Sequence, residues 1–102
     1  MSASLAMRFP HLDHFLNAYM HQDWELFGDS LEDVVQTYAS DTSPVEMQQL
    51  RDEIVQLLTV EGHRIETSYY ALYPNSVMPS GWGMSVADWL TRVANLANRY
   101  TH

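Results

Sequence analysis

His11, Asp13 and His14 stand together near the start of the chain, with His21 and Asp23 a little further on. Imidazoles at i, i+3 on a helix share a face and could meet at one metal ion. Neither an HExxH nor an ExxH pattern is present, and no other segment offers an obvious further ligand. A structural or solvated role for these histidines is the stronger reading. Nucleophilic chemistry has less support still. The chain has no cysteine, no lysine and no G-x-S-x-G, which removes thiolate, Schiff-base and serine-elbow mechanisms. GxGxxG and P-loop patterns are absent as well. No enzymatic activity and no cofactor are expected.

Aromatic residues form the other distinctive group. In His21-Gln22-Asp23-Trp24-Glu25 an indole is set among an amide and two carboxylates. The favoured reading is packing: Trp24 plugs the core while His21 and Asp23 satisfy backbone groups at a turn. Trp82, in Ser80-Gly81-Trp82-Gly83, is flanked by glycines that regular structure does not favour. It serves either as a contact residue or as a lid folded back over the core.

Four elements must position these residues. Leu12, Phe15, Leu16, Tyr19 and Met20 give one apolar face over about Phe9–Met20, with Pro10 in the first turn. Ser30 with Asp33 resembles a capping box ahead of Leu31, Val34, Val35 and Tyr38, and this helix should end near Ser40. Ser43-Pro44-Val45-Glu46 opens a helix carrying Met47, Leu50, Ile54, Leu57 and Leu58 through Thr59. Ser85 with Asp88 opens the last, with Val86, Trp89, Leu90, Val93 and Tyr100 on its apolar face. Between them, a short helix near Glu61–Glu66 is expected to give way to an irregular or extended stretch, since Thr67-Ser68-Tyr69-Tyr70 has strand-like propensity. The fold class is therefore mostly α: a single-domain antiparallel bundle of four to five helices, with a Tyr/Pro/Gly-rich irregular segment before the last helix.

The chain has 102 residues, 46% of them hydrophobic and 12% aromatic, which supports one domain with a real core. Residues 1–7 read as a flexible N-terminal extension. No secretory signal or apolar span is recognisable, so a soluble, cytoplasmic monomer with no membrane association is expected. The net charge of −8 is lopsided. Residues 1–53 hold ten carboxylates against Arg8 and Arg51, whereas in residues 54–102 three acids balance three arginines. Such a field disfavours direct nucleic-acid binding and attracts cationic surfaces. Acidity could also serve solubility alone.

The order Phe9-Pro10-x-Leu12…Phe15, then Ala18-Tyr19-Met20-His21-Gln22-Asp23-Trp24, then a capped helix with Val34-Val35, resembles the immunity proteins of contact-dependent growth inhibition systems. Tyr69-Tyr70…Pro74…Gly83-x-Ser85-x-x-Asp88-Trp89-Leu90 is similar to that family's closing helix. The resemblance covers about Phe9 to Val93, and Gly62-His63 departs from it by interrupting what should be a short helix. It implies a bacterial cytosolic protein that neutralises the C-terminal toxin domain of a large surface-exposed partner. Many such domains are nucleases, which are basic around the active site. The expected toxin-binding residues are Asp23, Glu25, Asp29, Glu32, Asp33 and Trp82; one or two of the acids are needed for capping and the remainder are expected to face solvent uncompensated. An acidic adaptor or anti-activator for another basic protein is the alternative, and a small metal-dependent enzyme a more distant one.

Overall fold

The computed structural model describes residues 9–20, 24–74 and 76–101. The expected extension at residues 1–7 lies outside them. Five α-helices are described: α1 Pro10–Ala18, α2 Leu31–Asp41, α3 Pro44–Glu61, α4 Ile65–Leu72 and α5 Val86–Asn98. Short 3₁₀ turns occupy Trp24–Phe27, Gly62–Arg64 and Pro79–Trp82. The mostly α bundle predicted from the apolar periodicity is the fold observed.

Local chemistry sets most helix starts. Ser30 Oγ accepts the Asp33 N–H at 3.2 Å and caps α2, while Asp33 Oδ2 accepts the N–H of Asp29, one residue before the cap, at 3.3 Å. Ser43 accepts from the Glu46 N–H at 3.2 Å and Ser85 from the Asp88 N–H at 3.1 Å. Helix α1 is different. Phe9 has no capping side chain, and the free N–H groups of His11 and Leu12 instead donate to Glu53 Oε1 on α3, each at 2.9 Å. A carboxylate suits this place because it meets both orphan donors and the positive helix end.

Helices α3 and α5 form the central pair; α1 lies on α3, α2 on α5, and α4 against both. Leu50, Ile54, Leu57, Trp89, Leu90 and Val93 are fully buried along this seam. Truncating Leu57 to Ala would remove about 2–5 kcal/mol, combining lost transfer energy with a cavity.

Two sequence expectations change between residues 59 and 84. Helix α3 continues past Thr59 to Glu61 and stops at Gly62, whose φ of 53° favours glycine. The regular helix then occupies Ile65–Leu72, where an extended stretch was expected. Burial of Ile65, Tyr69 and Tyr73 outweighs the strand propensity of Thr67-Ser68-Tyr69-Tyr70. The irregular segment begins only after Leu72 and is tied down: the Val77 N–H donates to the Met20 carbonyl and the Tyr69 hydroxyl to the Val77 carbonyl, both at 2.9 Å.

Candidate functional site

The acidic string after α1 becomes a turn rather than a run. Trp24–Phe27 forms one 3₁₀ turn that packs on α2. Glu25 and Leu26 face solvent, Leu26 with 80% of its surface exposed. At Gly28 the chain passes so close to α2 that an added Cβ would lie 2.4 Å from Asp33 Cβ. This contact brings Asp29 beside the first turn of α2 and aims the preceding turn across the bundle. Asp23 lies outside the described residues.

The turn meets the segment before α5 through tryptophan. Trp24 packs edge-on against Trp82, ring centres 5.3 Å apart, and Trp82 stacks nearly parallel on Trp89 at 6.0 Å. Trp89 is fully buried; Trp24 and Trp82 are half-buried. Trp82 thus lies back over the core with one face on Trp89 and keeps part of its surface accessible. Trp24, for which packing is the favoured sequence reading, shares that position.

Two depressions open beside Trp82. One, of about 260 Å³, is a groove lined by Trp24, Val77, Met78, Gly81 and Trp82. Met78 stands at its edge, 64% exposed. The other, of about 330 Å³, holds Asp29, Glu32, Arg92, Met84 and the Trp82 and Trp89 rings. Of the residues singled out in the sequence, Asp29, Glu32 and Trp82 therefore come together, and Glu25 lies on the adjoining turn.

The carboxylates are not equivalent. Asp33 is committed to the α2 cap. Glu32 is paired with Arg92, which corrects the expectation of an uncompensated cluster. Its carboxyl is held below the usual range by a backbone hydrogen bond at the start of α2 and then by the Arg92 charge. The two residues are 60 apart in the chain, so sequence proximity could not reveal the pair. Asp29 and Glu25 remain exposed.

The histidines take separate surroundings. His11 Nδ1 donates to Glu53 Oε2 at 2.6 Å, while the exposed His14 ring packs edge-on against Tyr19 and Tyr38. Among the described residues no group of three or more His, Asp and Glu is placed to hold a metal. Among the same residues, no helix is long and apolar enough to cross a membrane.

A small helical bundle with an aromatic surface groove and carboxylates beside it has the makings of a protein-binding module. The family model of the CdiI immunity proteins matches residues 8–97, and the chain belongs to this family. Its members are toxin inhibitors that bind a cognate toxin of a contact-dependent growth inhibition system. No curated protein and no solved structure matches the chain.

Proposed function

We propose that this chain acts in the bacterial cytosol as a one-to-one inhibitor of the C-terminal toxin domain of a large exported effector. The toxin domain is a basic nuclease, and the inhibitor covers its phosphate-binding face. The observation that carries this reading is the charge distribution: the entire net −8 resides on residues 1–53. From that half, Asp29 and Glu32 reach the surface beside Trp82, and Glu25 is exposed on the turn that carries Trp24. A nuclease must gather cations where it holds a polyanion, and a carboxylate surface supplies the complementary field. The toxin-binding set is Asp23, Glu25, Asp29, Glu32 and Trp82; Asp33 contributes by tying the Asp29 backbone to the start of α2.

The test is co-expression with the C-terminal domain encoded at the end of the neighbouring large-effector gene, followed by pull-down and growth protection. Association kinetics then examine the charge. Reversing Glu25, Asp29 and Glu32 to lysine should slow association, with each carboxylate buried in the complex contributing about 2–5 kcal/mol. Added salt should slow the parent protein as well, because steering is screened over about 8–10 Å at physiological ionic strength. Equal rates for parent and triple reversal at low salt would refute the electrostatic reading.

A further inference from the structure

We infer that the Trp24–Trp82 groove and the Asp29/Glu32 cleft form one docking surface for an arginine-bearing apolar segment of the toxin domain, and that Arg92 holds the place of that arginine in the free protein. The inference rests on the toxin-binding reading above and goes beyond it by naming the anchor and its internal competitor.

Trp82 lines both depressions, so the apolar groove and the charged cleft meet on one side chain. The exposed apolar surface of Met78 lies on the groove side of Trp82, and the carboxylates of Asp29 and Glu32 on its cleft side. Of the other large exposed aliphatics, Leu26 lies on the Trp24 turn and Val45, Val55 and Val60 along α3, and none of them lines either depression. Indole and thioether surface at the centre with a polar rim is the composition of an interface whose energy is concentrated in a few anchors.

The rim selects the occupant. A purely apolar segment would desolvate the Asp29 carboxylate without a partner and bury the Glu32–Arg92 pair, and a lysine would meet the indole only as a compact, strongly hydrated charge. An arginine satisfies both surfaces, since its planar guanidinium stacks on an aromatic ring while its N–H fork donates to carboxylates. Arg92 already shows the second half of this arrangement. Its guanidinium bonds Glu32 at the cleft that Trp82 lines. Both side chains are 46% exposed, so water screens the pair and its exchange for another guanidinium costs little.

Three variants of the full chain test the inference against the same C-terminal domain, with circular dichroism confirming each fold. Trp82→Ala removes the shared wall and should weaken binding about thirtyfold or more, as loss of a central aromatic anchor does. Met78→Arg places a repelling charge at an exposed position without touching the core, and should weaken binding by about tenfold or more. Arg92→Gln frees Glu32 and should raise the association rate about two- to fivefold at low salt, with the gain disappearing at high salt. If the parent protein fails to bind the domain, the proposed function falls and this inference with it. If the parent binds but Trp82→Ala and Met78→Arg stay within about twofold of it, the docking surface is elsewhere. If the groove variants weaken binding while Arg92→Gln associates no faster, Arg92 is not a competitor and the partner-exchange half is wrong.

Discussion

Glu53 links two helices with one carboxylate. Its Oε1 closes the start of α1 by accepting from His11 and Leu12, and its Oε2 takes the His11 ring. Position 53 sits at the i+3 place of a helix already supplied with apolar residues, so nothing local marks it as a cap for another element. An isosteric amide keeps the shape but loses the charge and one acceptor. Glu53→Gln should therefore destabilise the fold by about 1–3 kcal/mol, seen as a lower urea midpoint at an unchanged slope, with toxin binding by the folded protein retained. An unmoved midpoint would mean that water serves the α1 terminus equally well. Removing both histidines is expected to spare binding, since His11 faces Glu53 and His14 packs beside Tyr38, away from the Trp82 groove.

Helix starts governed by neighbouring residues were legible in the sequence. Ser30, Ser43 and Ser85 each accept from the N–H three residues on, a pattern complete within one turn. The core stripes of α2, α3 and α5 were legible for the same reason. What escaped depends on contacts between distant segments: the helicity of Ile65–Leu72, the meeting of Trp24 with Trp82, and the Arg92–Glu32 pair. In the candidate site, Trp82 and the acids could be singled out by type, but Met78 and Arg92 gain meaning only once α5 lies against the start of α2. The turn that makes this geometry hinges on Gly28. In Gly28→Ala the new methyl meets Asp33 and the Val34 backbone nitrogen, the latter at 2.9 Å from its Cβ. Overpacking of this kind should cost about 1–3 kcal/mol and shift the Trp24 turn, detectable as a changed near-ultraviolet circular dichroism spectrum together with a lower Tm. An unaltered spectrum and Tm would show that the turn relaxes freely.

Over the whole molecule, buried tyrosine sets an alkaline limit on stability. Burial first, and then Asp41, which accepts the hydroxyl proton at 2.7 Å, push Tyr19 up to about 12. Burial followed by the charges of Glu46 and Glu53 does the same for Tyr38. Tyr69 and Tyr73 are raised further, again chiefly by burial. The folded state favours the neutral phenols, so their contribution is fully present below the unfolded value of about 10 and is lost as pH rises through the folded values. Helical ellipticity and tyrosinate absorbance should therefore change together from about pH 10 toward 12; ionisation of these four tyrosines near pH 10 with the helices intact would contradict the assignment. The tryptophans carry a different consequence. All three of the chain's indoles belong to one contact series, Trp24 to Trp82 to Trp89. Neighbouring indole transitions at such separations couple, so the absorption and emission of the protein belong to the trio rather than to isolated chromophores. The molecule thus carries a built-in optical gauge at its candidate contact surface: whatever displaces Trp82 alters the emission of the whole chain, and an occupant can be followed by light without any attached dye.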